Sequence, residues 1–289
     1  MEKKGKFFTK KGFIIKITTN VICIFVASLS ITSYAYQKGG AENVPPFCVQ
    51  KKECQGLCPQ LYNGDCLEVM QDMQDKSVDM VLCDLPYGMT DCKWDSIIPF
   101  NKLWEQYNRI VKENGAIVLF SAQPFTTKLI QSNLKHFKYC WYWVKPYSTG
   151  FCFAKYQPMR RVEDICVFYR KGGSYYPQGL KEIKNAKPKQ KKAGNIYSRL
   201  DKEYTPKYTN YPTNILKYDG VKNRLHPTQK PVELLEYLIK TYTRPGEIVL
   251  DNCMGSGSTG EAAKNTGRRF IGIEKDINYY EIAKERIKG

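Results

Sequence analysis

From residue 59 onward, short apolar runs alternate with stretches in which apolar residues recur every three or four positions. "VDMVLCD" (78–84), "AIVLF" (116–120), "FKYCWYWV" (137–144), "DICVFYR" (164–170), "EIVLD" (247–251) and "RFIGIE" (269–274) read as strands, with "QLYNGD" (60–65) as a short strand and turn. "CLEVMQDM" (66–73), "PFTTKLIQSNL" (124–134), "PVELLEYLIKTYT" (231–243), "STGEAAKNT" (258–266) and "INYYEIAKERIK" (277–288) read as helices. A further helix is predicted where Leu103, Trp104, Tyr107, Ile110 and Val111 share one face, with Asn114-Gly115 as its stop. In the helix from 231, Val232, Leu235, Leu238, Ile239 and Tyr242 form the inner face. Strands that are apolar throughout, separated by amphipathic helices, predict an α/β fold. Its sheet is mainly parallel and covered by helices on both faces.

Two segments break this pattern. Residues 171–225 are rich in Lys, Tyr, Asn, Pro and Gly with little periodicity, and read as an insert of loops and short strands. Residues 1–16 are Lys-rich and residues 17–37 carry no charge. That run is long enough to cross a bilayer, and Ser33-Tyr34-Ala35 resembles a signal-peptide cleavage site. Polar residues such as Thr18, Thr19, Asn20 and Ser28 weaken it as a span. The chemistry argued below needs an intracellular cofactor and substrate. That favours an extension outside the fold over a membrane anchor, and puts export last. "GGAENVPP" (39–46) reads as a linker, so the expected division is an extension at 1–58 and a cytoplasmic catalytic domain at 59–289.

Charge sharpens the picture. The net charge of +17 predicts a polyanionic partner. Residues 171–225 hold 13 Lys and Arg against 4 Asp and Glu, and residues 1–58 hold 9 against 3, so the excess is concentrated in two blocks. In the insert the cations are interleaved with Tyr175, Tyr176, Tyr197, Tyr204, Tyr208, Tyr211 and Tyr218, which suits phosphate and base contacts. The eleven cysteines are irregularly spaced in a long chain, and Cys66, Cys83, Cys140, Cys166 and Cys253 fall in apolar segments, as reduced thiols do. Cys48, Cys54 and Cys58 lack a fourth ligand at zinc-site spacing, so no metal is expected.

"IVLDNCMGSGSTGEAA" (248–263) is a strand, a glycine turn and a helix. Gly255 and Gly257 allow a tight turn and close approach of a ligand, and the following helix offers free N–H groups. Glu274, at the end of the next strand, is placed to hold two ribose hydroxyls. The loop therefore predicts an adenosine-containing cofactor. Gly255-x-Gly257-x-x-Gly260 also satisfies the dinucleotide fingerprint, a weak signal alone. In a dinucleotide fold the loop normally follows the first strand, whereas here only one strand remains after it.

The other chemical signal is Asp84-Leu85-Pro86-Tyr87, a carboxylate, a proline and an aromatic ring at the tip of a buried strand. With the glycine loop far downstream, it resembles the amino-methylating DNA methyltransferases, which act on N6 of adenine or N4 of cytosine. The order of motifs matches their permuted subclass, with the catalytic tetrapeptide first, target recognition next and the cofactor loop last. The resemblance covers roughly residues 59–289. It implies a circularly permuted, Rossmann-like fold, S-adenosylmethionine as cofactor, double-stranded DNA as partner, and a bacterial or phage restriction-modification setting. It implies that Asp84 and the Leu85 carbonyl accept the two N–H bonds of a flipped-out amine, that Tyr87 stacks on the base, and that Pro86 stiffens the turn. Asp65, Thr228, Lys230, Asp251, Gly255, Gly257 and Glu274 are then the cofactor residues, Thr228 and Lys230 at its methionine end. Plain helix caps explain Asp65 and Thr228 nearly as well.

Three features depart from the family pattern. Leu85 replaces the commoner proline, Asn252-Cys253 stand where Pro-Phe is usual, and the hydrophobic N-terminus is foreign to the catalytic core. Asp as first residue of the tetrapeptide favours adenine over cytosine. Cys83 is expected to point away from Asp84 and to serve as core, not as a nucleophile. The rival readings are cytosine N4 methylation, a nicotinamide dehydrogenase, and a non-catalytic or membrane-tethered DNA-binding derivative. Oligomeric state and target sequence are not set by the sequence.

Overall fold

A computed structural model describes residues 58–89, 95–188, 205–221, 225–226 and 228–288. The expectations for residues 1–57, including segment 17–37 with Cys48 and Cys54, and for Tyr197 and Tyr204 lie outside the described residues. Among the described residues no helix is long and apolar enough to cross a membrane, and no group of His, Cys, Asp and Glu is arranged to hold a metal ion.

In chain order the elements are β1 (Gln60–Asn63), α1 (Cys66–Gln71), β2 (Val78–Asp84), α2 (Phe100–Ile110), β3 (Val111–Ser121), α3 (Phe125–Ser132), β4 (Phe137–Thr149) and β5 (Arg160–Phe168). The insert supplies β6 (Lys181–Glu182), β7 (Tyr208–Thr209) and β8 (Ile215–Lys217). Then come α4 (Val232–Tyr242), β9 (Ile248–Asp251), α5 (Ser258–Asn265), β10 (Arg269–Glu274) and α6 (Ile277–Lys288). Eight strands form one sheet in the order β1-β10-β9-β2-β3-β5-β4-β8. The run from β1 to β3 is parallel; β5 is antiparallel to both β3 and β4, and β8 adds in parallel to β4.

Strand periodicity divides the core. Met80, Leu82, Val118, Phe120, Ile165 and Val249 face one side and pack under α4, α5 and the end of α6. Val81, Cys83, Ile117, Leu119, Cys166 and Leu250 face the other side, against α1, α2 and α3. Both faces are covered, as runs without alternation require. On the inner face of α4, Leu235, Leu238, Ile239 and Tyr242 are buried as predicted, while Val232 is only partly buried.

Several boundaries differ, most informatively at the end of α2. The helix over 100–110 stops before Val111, which pairs with Val78 as the first residue of β3. The Arg170 guanidinium donates to the carbonyls of Asn108 (2.7 Å) and Val111, satisfying acceptors that a helix end leaves open. Asn114-Gly115 is not the stop. Gly115 lies within β3, where an added Cβ would meet the Asp79 carbonyl at 2.7 Å.

This topology positions the site. Parallel strands end along one rim, so the C-terminal residues of β1, β10, β9 and β2 lie side by side in sheet order. The registers Asn63↔Glu274, Gly272↔Asp251 and Val81↔Leu250 align those ends. Glu274, Asp251 and Asp84 therefore stand on three neighbouring strands, each step about 4.8 Å. Asp65 follows β1 on the same rim.

Candidate active site

A cleft of about 900 Å³ opens above this rim. Asp84-Leu85-Pro86-Tyr87 line it together with Asp251 and Gly255, although about 170 residues of chain separate the two turns. Asp65, Thr228, Lys230 and Glu274 line it as well. Gly257 does not. It takes φ +79° at the N-cap of α5, and a Cβ there would meet the Ala283 Cβ at 2.9 Å, so this glycine lets α6 approach rather than exposing backbone to a ligand.

The Asp84 carboxylate is held from both sides. Oδ1 accepts from the Tyr87 hydroxyl at 2.7 Å, and Oδ2 accepts from Lys230 Nζ at 2.5 Å. Lys230 also pairs with Glu163 Oε1 at 3.0 Å, and Lys145 with Glu163 Oε2 at 2.5 Å. Burial disfavours the Lys230 ammonium, but the Asp84 and Glu163 carboxylates outweigh that and raise its pKa to about 12. Burial likewise raises Glu163, and Lys230 and Lys145 overcome it to hold the carboxyl below its ordinary value. Burial, with Asp84 and Glu163 adding to it, pushes the Tyr87 phenol far up, so it is a neutral donor. The Tyr87 ring stacks on Phe125 with centroids 4.9 Å apart. Each Asp84 oxygen accepts one of these bonds, which leaves lone pairs for a further donor. Gly88 and Met89 N–H groups donate to the two Asp95 oxygens at 2.8 and 2.9 Å, fixing the turn that follows Tyr87.

Glu274 accepts from Gly255 N–H at 2.8 Å and Asp276 N–H at 2.9 Å, and burial raises its carboxyl. Asp251 is buried and accepts from Cys253 N–H at 3.1 Å. Its pKa is pushed up to about 6 by burial, and no cationic side chain among the described residues is salt-bridged to it. A buried carboxylate facing a cleft without a counter-ion suits a ligand that carries positive charge. Asp65 is the N-cap of α1, accepting from Leu67 N–H at 2.9 Å, and it pairs with Lys275 at 3.1 Å. Thr228 is not a cap: its N–H and hydroxyl lie 3.2 and 3.1 Å from His226 Nδ1, and α4 begins after Pro231.

The family profile described as DNA methylase, of the N6/N4 type, matches residues 78–285. The chain belongs to this DNA methylase family. The type II methyltransferase M.HpaI of Haemophilus parainfluenzae is 27% identical over 247 residues, covering 79% of this chain and 74% of that protein. M2.DpnII of Streptococcus pneumoniae is 27% identical over 285 residues, covering 88% and 96%. The crystal structure of an M1.HpyAVI–SAM complex superposes with a TM-score of 0.56 at 27% identity, covering 79% of this chain and all of that one. S-adenosylmethionine is the family's methyl donor. The methylase's α/β, Rossmann-like fold is that of these neighbours.

Sequence reasoning assigned no role to Glu163 and Lys145. The signal for Glu163 is present in period two: it shares a sheet face with Ile165 and Val167, and a carboxylate in that register needs a buried cation. Sequence reasoning also passed over Asn252, noting only that it departs from the family's usual residue. Its side chain is buried and accepts from the Tyr107 hydroxyl at 2.6 Å, tying the glycine loop to α2. Cys83 is buried in the core and its thiol is raised to about 12 by burial, as expected of a residue without nucleophilic work.

Proposed function

We propose that this methylase transfers a methyl group to the exocyclic amine of adenine in double-stranded DNA, with Asp84-Leu85-Pro86-Tyr87 as the catalytic turn. The observation that carries the reading is the shared cleft of Asp84 and the 251–255 loop. When bound, S-adenosylmethionine supplies an electrophilic methyl group. Asp251, Gly255, Glu274, Asp65 and Thr228 are the residues proposed to hold it, with Asp251 opposing its positive charge and Glu274 accepting from its ribose. The target base leaves the duplex to enter the cleft.

The amine's lone pair is delocalised into the ring, so the task of the chain is to localise it. Asp84 and the Leu85 carbonyl accept the two N–H bonds, which favours a pyramidal nitrogen whose lone pair points toward the cofactor side. Placing the two groups in attack geometry supplies much of the rate. The proton that leaves the amine has the Asp84 carboxylate as its nearest acceptor. Lys230 and Tyr87 hold that carboxylate in place, which makes Lys230 a positioning residue rather than a contact to the methionine end. Aspartate as first residue of the tetrapeptide supports adenine.

The test is to express the full chain in a host lacking DNA methylation and sequence the DNA with modification detection. N6-methyladenine at one recurrent site supports the reading, N4-methylcytosine reassigns the base, and unmodified DNA refutes the activity. Asp84→Ala is expected to lower methyl transfer by at least a hundredfold while cofactor affinity stays within about threefold.

A further inference from the structure

The insert over 171–225 is the part of the sequence that looks built for DNA, yet part of it is used for packing. Tyr175 and Tyr218 lie against Tyr242 and Tyr237 of α4, and Tyr176 sits under Arg244. Among the described residues the most exposed aromatic side chains lie elsewhere, at the end of β4 and on its connection to β5. Tyr147, Phe151 and Tyr156 are 82%, 81% and 87% exposed, and Phe153 and Met159 join them. A cluster of large apolar side chains turned to solvent is unusual enough to mark a binding surface. Between residues 145 and 162 there are four cations, Lys145, Lys155, Arg160 and Arg161, and no acidic residue.

Position gives the partner. The base of the hairpin, from Trp143 to Thr149 and from Arg160 to Glu163, forms one wall of the cleft. The tip thus stands at the mouth through which a flipped base enters. The strands lose regular register between Val144 and Thr149, so the tip departs from the sheet, and Gly150 at φ +90° turns it. Aromatic rings interleaved with cations and free of carboxylates match a polyanion that offers stackable faces. A base that swings out leaves a gap in the duplex, and an apolar wedge can fill it.

We infer that the β4–β5 hairpin tip is a second DNA-contacting element of this methylase: Phe151 and Tyr156 enter the duplex beside the extruded base while Arg160 and Arg161 hold phosphates. The inference rests on the proposed function and assigns to this hairpin a task the sequence placed wholly in the insert.

The full chain and two double variants, Phe151→Ala/Tyr156→Ala and Arg160→Ala/Arg161→Ala, are compared for binding to two fluorescent duplexes of one arbitrary sequence. One duplex is intact and the other carries a single abasic site. Wild type is expected to prefer the abasic duplex by about tenfold, the scale of one stacked ring. The aromatic variant should lose that preference, and the arginine variant should weaken both duplexes alike, lowering the salt slope by about two. Equal binding of both duplexes by wild type, or a preference retained by the aromatic variant, overturns the wedge. Sedimentation that shows a dimer dissolved by the aromatic variant, with DNA binding unchanged, overturns it in favour of self-association. Transfer of labelled methyl groups to pooled genomic DNA by wild type reports separately on the proposed function.

Discussion

Asp251 and Lys230 show how far single residues can be read. Burial keeps the Asp251 carboxyl protonated up to about pH 6 in the folded chain, while an unfolded aspartate ionises near pH ~4. Between those values the folded chain keeps a proton that the unfolded chain has released. Stability therefore falls as pH rises through this window and is flat above it, a loss of roughly 2–3 kcal/mol. A cationic cofactor favours the ionised form, so S-adenosylmethionine affinity should climb as pH approaches about 6 and then level off. Asp251→Asn should remove most of the climb, since Glu274, raised in the same direction, remains. Calorimetry in buffers of different ionisation enthalpy checks this; wild-type binding without proton release below pH ~6 would contradict it. For Lys230 the sequence offered the methionine end of the cofactor, whereas the ammonium lies between Asp84 and Glu163. Lys230→Met should lower kcat by about a hundredfold and leave KM and cofactor affinity nearly unchanged, with partial rescue by Lys230→Arg. A large loss of affinity with normal kcat would return Lys230 to the cofactor. The placement of Asp84, Asp251 and Glu274 on one rim was legible because each ends a strand. The Lys230–Glu163–Lys145 chain was not, because its members come from the segment before α4, from β5 and from β4, which only the fold brings together.

At the scale of elements, local pattern located every long strand and helix but not where each stops. Val111 continued the helical face of Leu103, Tyr107 and Ile110, yet it belongs to β3. The deciding interaction is Arg170, 59 residues away from Val111, whose guanidinium closes the helix end. Long-range capping of this kind leaves no mark in a window of neighbouring residues. The glycine loop shows the converse, a turn formed where the pattern predicts it with one of its glycines turned away from the cleft. Gly255 lines the cleft and donates to Glu274, whereas Gly257 faces α6. Gly257→Ala forces a side chain into a left-handed backbone and against the Ala283 backbone at 3.0 Å. The expected loss is about 1–3 kcal/mol of stability, read as a lower urea midpoint with an unchanged slope. Because α5 carries the loop, the same variant should bind cofactor more weakly. An alanine variant as stable as wild type would show that α6 yields at this contact.

For the whole molecule the sheet order carries the argument. β1, β9 and β10 come from opposite ends of the described chain and form one half of the sheet, and β2 through β5 and β8 form the other. The cleft lies where the halves meet, between β9 and β2, so neither half alone has a site. The sequence revealed this through motif order: a cofactor loop with one strand left after it needs partners from far upstream. It left the antiparallel placement of β5 between β3 and β4 open, since pairing direction is not written in apolar content. The same order makes a prediction about the N-terminal extension. Among the described residues, β1 begins at Gln60 as an edge strand bonded only to β10, and every element that lines the cleft follows it. Among the described residues, both core clusters are built from residues that follow β1 or belong to it. The shortened chain, beginning at Cys58, is expected to fold, to bind S-adenosylmethionine within about threefold of the full chain and to methylate DNA at the same sites. Its association with DNA should depend less steeply on salt, because the net charge of +6 carried by residues 1–57 is removed. Melting temperature, cofactor titration and methylated-site mapping on the two chains decide it. A shortened chain that aggregates or loses cofactor would mean that the edge of β1 is covered by what precedes it, and that the catalytic unit starts earlier than residue 58.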